Sequence, residues 1–196
     1  MNKLIFIYGT MNCGKTAKVI QLIHSFKEQH KHILTIKPTI ANRDSKTCFV
    51  TRSGEEYPAA ILEKPNDCDR FEVDVTDFLK KIESLDCVII DEAQFMEPKD
   101  IQILDRKVSR YDVPILFFGL LKDFRNHLFP TSKYLIEHCD DLREMKSICR
   151  WCGRKATCVL RVHDGQPVYQ GKEIEIGSNT YVPVCRYHYY HPKNLG

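Results

Sequence analysis

The sequence predicts an α/β fold in which helices cover a parallel β-sheet and a small metal-stabilised ribbon follows. Three observations predict it. Short apolar runs alternate with amphipathic segments over residues 1–145, which favours parallel strands joined by right-handed helical crossovers. A glycine-rich loop separates the first strand from the first helix. Two cysteine-containing knuckles with metal-ligand spacing lie within residues 146–196.

Composition and charge exclude several classes of protein. The chain has 196 residues, of which 43% are hydrophobic and 28% charged, as in a globular protein with one main domain and a small appendage. A formal net charge of +3 gives no long basic face, so nucleic acid is not expected as a primary partner. No apolar run approaches a membrane span or a signal peptide, and we expect a cytoplasmic protein without a membrane partner. Nine cysteines fit a reducing compartment, as free thiols and metal ligands.

The first strand and helix flank a loop with the pattern GxxxxGK[ST]. Residues 4–8 have the length and apolar content of a buried strand, and residues 17–29 have helical apolar spacing. Glycines let backbone N–H groups turn toward phosphate oxygens, and the helix N-terminus adds partial positive charge. Lys15 is expected to reach the β- and γ-phosphates, while the Thr16 hydroxyl suits Mg²⁺. The loop consists of Gly9, Thr10, Met11, Asn12, Cys13, Gly14, Lys15 and Thr16.

The remaining elements of the first 145 residues continue the alternation of strands and helices. Further strands are predicted over residues 33–36, 87–90 and 115–118, and helices over residues 75–85, 98–110 and 131–139. Lys37-Pro38 and Gly119 end two of the strands, and Pro98 is favoured in a first helical turn. Residues 40–58 are polar with scattered β-formers, a pattern that predicts either a hairpin or a mobile excursion.

An acidic pair follows the apolar strand at residues 87–90. Asp91 stands at the carboxyl end of this strand, where a magnesium contact is needed in a chain with a phosphate loop. Glu92 comes next and is the candidate general base. It could position water, as in ATP-driven motors, or hold a substrate hydroxyl, as in a kinase. The alternative is that both carboxylates only cap the helix that begins near Pro98.

The C-terminal residues predict a structural zinc site. Cys149 and Cys152 form a Cys-x-x-Cys knuckle, and Cys185 and His188 repeat the two-residue spacing. Three thiolates and an imidazole match a closed tetrahedral Zn²⁺. The competing ligands are His163 and His191, and the strands between the knuckles are predicted over residues 159–162, 173–176 and 181–184. A ribbon of about 45 residues needs the metal for stability. The other six cysteines are interpreted as core or surface residues.

In this order, the phosphate loop, the Asp91-Glu92-Ala93-Gln94-Phe95 strand end and the zinc ribbon resemble the type II thymidine kinases. Further matches are Lys37-Pro38, Thr51-Arg52-Ser53-Gly54, Gly119-Leu120 with Asp123-Phe124, and Tyr181 with Cys185-Arg186 and His188. The resemblance covers essentially the whole chain. It implies a RecA-like P-loop core over residues 1–145 and a zinc ribbon with a substrate-covering lasso loop over residues 146–196. The implied reaction is ATP-dependent phosphorylation of the 5′-hydroxyl of thymidine, and of deoxyuridine.

The resemblance also implies roles for individual residues. ATP would be held by the loop from Gly9 to Thr16 together with Arg43, Asp91 and Gln94, and Glu92 would be the base for the 5′-hydroxyl. The implied nucleoside contacts are Met11, Phe95, Leu120, Phe124, Phe129, Glu173, Ile174, Glu175, Ile176, Gly177 and Tyr181. Phe124 would pack on thymine, and Tyr181 with residues 173–177 would form the lasso. Ordinary core packing is the alternative for Phe124, Phe129 and Tyr181. A homotetramer and feedback inhibition by dTTP are further expectations.

Two other functions compete with the kinase. In the first, the chain is a motor or switch ATPase whose Glu92 activates water and whose ribbon grips nucleic acid. In the second, the ribbon is a partner-binding module and the phosphate loop is idle. ADP release with and without thymidine distinguishes the three, because the kinase requires the nucleoside, the motor does not, and the module releases none.

Overall fold

The computed structural model describes residues 3–38, 48–50, 56–58, 60–62, 84–172 and 180–193. Several sequence predictions lie outside these residues. They are Arg43, the match at Thr51-Arg52-Ser53-Gly54, residues 75–83 of one predicted helix, and the lasso residues Glu173, Ile174, Glu175, Ile176 and Gly177.

Six parallel strands form the main sheet, which confirms the predicted α/β class. They are β1 (Leu4–Gly9), β2 (Ile33–Pro38), β5 (Ala60–Leu62), β6 (Cys87–Ile90), β7 (Ile115–Gly119) and β8 (Asp141–Met145). Their order is β5-β2-β6-β7-β1-β8, and every pairing is parallel. Between β2 and β5, β3 (Cys48–Val50) and β4 (Glu56–Pro58) pair antiparallel, which favours the hairpin interpretation of residues 40–58.

Three helices in the described part of the chain lie where the apolar spacing predicts them, with ends shifted by at most two residues, and a short fourth helix was not predicted. They are α1 (Lys15–Glu28), α2 (Pro98–Val108), α3 (Pro130–His138) and α4 (Arg186–Tyr190), with a 3₁₀ turn at Ala93–Phe95. The N-cap of α2 is Glu97, and its backbone N–H donates to Asp100 Oδ2 at 3.1 Å. The alternative that Asp91 and Glu92 cap this helix is therefore wrong.

Both faces of the sheet are buried. Along β1, Leu4 and Phe6 contribute to one apolar cluster, which includes residues of α2 and α3, while Ile5 and Ile7 contribute to another, which includes residues of α1. Strands buried on both faces read as continuous apolar runs, which is why β1, β6 and β7 are evident in the sequence. The parallel order brings the carboxyl ends of these three strands to one edge of the sheet.

A second, antiparallel sheet follows the core, and we call residues 146–193 the ribbon. Its strands are β9 (Cys158–His163), β10 (Gln166–Val168) and β11 (Thr180–Val184), in the order β10-β9-β11. β9 and β11 agree with the prediction, β10 was not predicted, and the strand predicted over residues 173–176 lies outside the described residues. The ribbon has its own apolar cluster, which includes Leu160, Val182 and Val184.

Several contacts among the described residues tie the ribbon to the core. The Ser147 hydroxyl lies within hydrogen-bond distance of the Thr10 hydroxyl in the glycine-rich loop. The Tyr189 hydroxyl donates to the Phe124 carbonyl at 2.8 Å. Lys155 forms an ion pair with Glu144. Within the parts of the chain that the structure describes, none of the helices has the length and apolarity needed to traverse a lipid bilayer.

Candidate functional site

The glycine-rich loop joins β1 to α1 and depends on two glycines. A Cβ on Gly9 would lie 2.6 Å from the Met145 carbonyl oxygen and would also collide with the Cys13 sulfur. Gly14 has a φ of 86°, in the left-handed region that favours glycine. The Lys18 N–H donates to the Gly14 carbonyl at 2.9 Å and so forms the first turn of α1. The loop is therefore a concave backbone segment that ends at a helix N-terminus, the arrangement that binds phosphate groups.

Lys15 lies inside this loop with only 7% of its surface exposed. Its Nζ donates to the Thr10 carbonyl at 3.0 Å. The ammonium group is therefore held against the backbone of its own loop. This position concentrates positive charge where the loop would surround an anion.

Thr16 and Asp91 bring the start of α1 to the end of β6. The Thr16 hydroxyl donates to Asp91 Oδ2 at 3.0 Å, and Asp91 is 1% exposed. Burial, followed by the charge of neighbouring Glu92, raises the pKa of Asp91. The structure therefore places two oxygen atoms that could bind a metal ion next to each other beside the loop, although their residues are 75 positions apart in the sequence.

Glu92 is held in an unusual backbone conformation beside Asp91. Its φ of 53° and ψ of 39° lie in the left-handed region, which costs energy for a residue with a Cβ. Its N–H donates to Asp91 Oδ1 at 2.9 Å. This turn directs the chain away from β6 at the sheet edge where the loop lies.

Gln94 holds the Glu92 carboxylate. Gln94 Nε2 donates to Glu92 Oε2 at 2.6 Å, and Gln94 Oε1 accepts from the Leu120 N–H at 2.9 Å. A Cβ on Gly119 would lie 2.9 Å from that same Oε1. The carboxamide thus joins the strand ends of β6 and β7 and orients Glu92. The resemblance places Gln94 near the phosphates, whereas this supporting role depends on a contact across 26 residues that no local pattern signals.

Apolar residues predicted to line a nucleoside pocket are divided between surface and interior. Phe95 and Phe129 meet edge to face with ring centroids 6.4 Å apart. Phe129 is 4% exposed, whereas Phe95, Met11 and Leu120 are half-buried. Tyr181 lies on β11 and is also half-buried. The structure therefore shows where these side chains lie, and their contact with a nucleoside remains a prediction.

Phe124 sits in a tightly fastened loop after β7. Asp123 Oδ1 accepts the backbone N–H groups of Arg125 and His127 at 2.9 Å each, and Asp123 Oδ2 accepts the Arg125 guanidinium at 2.7 Å. The Phe124 ring is 2% exposed, and the Arg161 guanidinium carbon lies 4.9 Å from its centroid. Sequence reasoning missed Arg161, because a single arginine within a β-type run has no distinctive spacing.

Four predicted metal ligands converge in the ribbon. The ligand atoms of Cys149, Cys152, Cys185 and His188 all lie within 4.8 Å of one another. His188 Nδ1 lies 3.4 Å from the sulfur of Cys149 and 3.5 Å from that of Cys185, and the sulfurs of Cys152 and Cys185 are 3.7 Å apart. Ligands around a tetrahedral zinc would be separated by about 3.5 Å for nitrogen to sulfur and about 3.7 Å between sulfurs. The three measured separations therefore match those around one tetrahedral metal ion.

The surroundings of the cluster favour His188 over its competitors. His163 Nε2 faces Asp164 at 3.4 Å, and His191 Nδ1 faces the Tyr187 carbonyl at 3.1 Å. Burial raises the pKa of Cys149, but hydrogen bonds from the Trp151 and Cys185 backbones and from His188 and Cys152 outweigh it and lower the pKa to about 6. A thiol poised to ionise suits a metal ligand.

The remaining cysteines whose side chains the structure describes lie apart from this cluster. Cys87 is buried in the main core, where burial raises its pKa to about 12, and Cys158 is buried in the ribbon. Cys13 and Cys139 are half-buried. The side chains of Cys48 and Cys68 lie outside the described residues.

Comparisons with known proteins match nearly the whole chain. A family model described as "Thymidine kinase" matches residues 2–189. A protein named thymidine kinase from Streptococcus gordonii is 41% identical over 194 residues, which cover 98% of each chain. One of the same name from Lactococcus lactis subsp. lactis is 40% identical over 195 residues, which cover 98% of this chain and 100% of the relative.

Solved structures give a more remote likeness. A Pif1 helicase from Candida albicans has a TM-score of 0.47 and 14% identity over 76% of this chain. A structure of two coordinating Pif1 helicases at forked double-stranded DNA has a TM-score of 0.46 and 16% identity. This chain spans 37% and 41% of those two chains, and a likeness of this degree carries no argument about activity.

Proposed function

The chain belongs to the thymidine kinase family, and from this premise we propose that it transfers the γ-phosphoryl group of ATP to the 5′-hydroxyl of thymidine. Deoxyuridine is the second expected substrate, and the product supplies DNA synthesis by nucleoside salvage. Relatives of this name, 40–41% identical, align with 98% of the chain. The observation that carries the proposal is the junction of Thr16, Asp91 and Glu92 beside the glycine-rich loop.

The loop from Gly9 to Thr16 is the proposed phosphate cradle, with Arg43 and Gln94 as further contacts on the ATP side. Thr16 Oγ1 and Asp91 Oδ2 are hard oxygen donors 3.0 Å apart. Adjacent ligands of an octahedral Mg²⁺ are about 3 Å apart, so these residues fit a magnesium ion. When bound, Mg²⁺ would neutralise charge on the phosphates. Lys15 supplies the positive charge that the chain itself brings to the β- and γ-phosphates.

Glu92 is the proposed general base for the 5′-hydroxyl. A carboxylate is too weak a base to remove an alcohol proton outright, so it accepts the proton late, as the phosphoryl group transfers. Its main contribution is to orient the hydroxyl in line with the γ-phosphate. Gln94 supports this role, because its hydrogen bond at 2.6 Å fixes one carboxylate oxygen and leaves the other to face the substrate.

The nucleoside side of the site is built from aromatic and apolar groups. Thymine offers a flat π-surface and a methyl group, which suit Phe124, Phe95, Phe129, Leu120 and Met11. The proposed lasso consists of Tyr181 with Glu173, Ile174, Glu175, Ile176 and Gly177. By covering the nucleoside it would exclude water, which would otherwise accept the phosphoryl group.

We assign Zn²⁺ to the four-ligand cluster of the ribbon and give it a structural role. Three thiolates and one imidazole fill a tetrahedral coordination sphere, so no position is left for substrate. On this proposal the chain divides into a P-loop domain over residues 1–145 and a zinc ribbon over residues 146–196. A cytoplasmic homotetramer and inhibition by dTTP complete the proposal, and light scattering and dTTP titration test them.

Coupled-enzyme measurement of ADP release tests the proposed function. Turnover that requires both ATP and thymidine supports the kinase. Equal turnover without a nucleoside would instead support the motor ATPase. No turnover under either condition, from zinc-loaded protein with Mg²⁺ present, would overturn the proposed function and favour the partner-binding module.

A further inference from the structure

Arg161 lies in the middle of the ribbon, on the face opposite its apolar cluster. It occupies β9, the central strand, where it pairs with Val168 of β10 and Tyr181 of β11. Its strand neighbours Leu160 and Val162 belong to the apolar cluster, so alternation directs Arg161 to the other face. That face is nevertheless covered, because Arg161 is only 7% exposed. Burying a guanidinium costs free energy, so its contacts must compensate for lost hydration.

One of the contacts that cover Arg161 comes from the core. The guanidinium carbon lies 4.9 Å from the Phe124 ring centroid, within the range of a cation–π interaction. The Tyr189 hydroxyl fastens the Phe124 carbonyl at 2.8 Å. Phe124 is therefore held from the ribbon at both its ring and its backbone.

The same guanidinium packs against the chain at Gly171. A Cβ on Gly171 would lie 3.1 Å from Arg161 Nη1, and Gly171 has a φ of 126°. On the other side of this backbone, Arg125 Nη1 donates to the Gly171 carbonyl at 3.2 Å. Arg161 and Arg125 together fix Gly171 relative to the Phe124 loop.

We infer that Arg161 is a positioning residue for nucleoside recognition, which acts by holding the Phe124 ring in place from the ribbon side. The inference rests on the proposed function, in which Phe124 packs on thymine. Arg161 also pairs across the strands with Tyr181, a second proposed nucleoside contact. Arg161 thus contacts one proposed nucleoside residue, Phe124, and lies opposite a second, Tyr181, which is 57 positions farther along the sequence. Both Phe124 and Tyr181 belong to the proposed nucleoside side, so the effect of Arg161 should fall on thymidine and spare ATP.

Arg161→Met tests this, because methionine keeps much of the apolar stem and removes the cation. We expect the KM for thymidine to rise about tenfold, with the KM for ATP and kcat within twofold of the parent enzyme. Arg161→Lys keeps the charge, and we expect its KM for thymidine to rise about threefold. The matched control is Arg154→Met, an exposed arginine of the same ribbon, which should leave all three constants unchanged.

A double-mutant cycle separates positioning from general stabilisation. If Arg161 acts through the aromatic ring, Arg161→Met should change the thymidine KM by less than twofold in a Phe124→Leu background. Calorimetric Kd values for thymidine should follow the KM values. Three results would overturn the inference. The first is an equal rise in KM for ATP and thymidine, and the second is a tenfold effect that persists in the Phe124→Leu background. The third is loss of zinc and fold in both Arg161 variants.

The unsubstituted enzyme keeps the two proposals distinguishable. If it shows no thymidine-dependent ADP release, the proposed function fails. If it shows that turnover and Arg161→Met leaves the thymidine KM unchanged, the inference alone fails.

Discussion

The strand-end site of the core and the metal cluster of the ribbon are built in opposite ways. In the core, Thr16, Asp91, Glu92 and Gln94 are fixed by hydrogen bonds at the edge of a six-stranded sheet. In the ribbon, the two halves of the cluster lie 33 residues apart and meet across a three-stranded sheet. The core therefore holds its site by hydrogen bonds, whereas the ribbon, on the proposed zinc assignment, depends on one coordinated ion. Perturbations should separate these two kinds of support.

Metal removal should have the largest effect. Without the ion, no cation holds the four metal ligands together. A ribbon of this size cannot stay folded by apolar burial alone. Treatment with a chelator should reduce thymidine-dependent turnover below detection while ATP binding to the core survives. Trp151, the single tryptophan of the chain, lies edge-on to His188 at 5.4 Å, so its fluorescence should report the loss.

Readdition of Zn²⁺ is the control for metal removal and should restore both signals. Full turnover by protein that metal analysis shows to be zinc-free would contradict the dependence of the ribbon on the ion.

Glu92→Gln should stop the chemistry and leave the fold intact. A positioned base contributes about a hundredfold to ten-thousandfold, and we expect kcat to fall within that range. Glutamine has nearly the same shape, so the Kd for ATP, measured by calorimetry, should stay within a fewfold of the parent value. Glu137→Gln, at an exposed position of α3, is the matched control. A near-normal kcat would show that another group accepts the proton.

Gly119→Ala should disturb the support of Glu92 without touching it. The added Cβ would lie 2.9 Å from Gln94 Oε1, so the carboxamide must shift, and we expect its hydrogen bond to Glu92 to weaken. We expect kcat to fall about tenfold, with smaller changes in both KM values, as for a displaced catalytic group. Gln94→Ala should give a similar loss. If the two losses simply add in the double variant, the effect does not pass through Gln94.

Tyr189→Phe should have the smallest effect, which we expect to measure as a loss of stability. Burial raises the pKa of Tyr189 to about 12, so its hydroxyl remains a donor to the Phe124 carbonyl at working pH. Loss of this buried hydrogen bond should cost about 1 kcal/mol in the free energy of unfolding, or about 2–4 °C in Tm. Tyr190→Phe, at a position that is 61% exposed, should leave Tm unchanged in the same calorimetric scan. Equal shifts in Tm for the two variants would show that the hydrogen bond from Tyr189 to Phe124 does not stabilise the fold.

The parts of the molecule that were predicted from the sequence are those marked by a pattern within a short run of consecutive residues. β1, β6 and β7 are apolar throughout because both of their faces are buried. The glycine-rich loop and the two knuckles carry their chemistry within a few consecutive residues. β8 was missed because it lies at the edge of the sheet, where residues 142–144 are exposed and no apolar pattern is required.

The parts that could not be predicted depend on contacts between distant segments. Gln94 reaches Leu120 across 26 residues, and Arg161 meets Phe124 only because the ribbon packs on the core. Their residue types are ordinary for their positions, so nothing in the local pattern marks them. The resemblance implies Gln94 as a site residue, but its hydrogen bonds to Glu92 and Leu120 are evident only in the folded structure.

The segment that joins the core to the ribbon, after Met145, cannot change in length without moving the ribbon. Gly9 has no room for a side chain because the Met145 carbonyl lies against it, and the Ser147 hydroxyl meets that of Thr10 one residue farther along the loop. The chain therefore leaves the core at the point where the phosphate cradle begins. An inserted residue between Met145 and Cys149 would shift the ribbon relative to the phosphate cradle. On the proposed function, it would move the nucleoside away from ATP, although every motif residue would still be present.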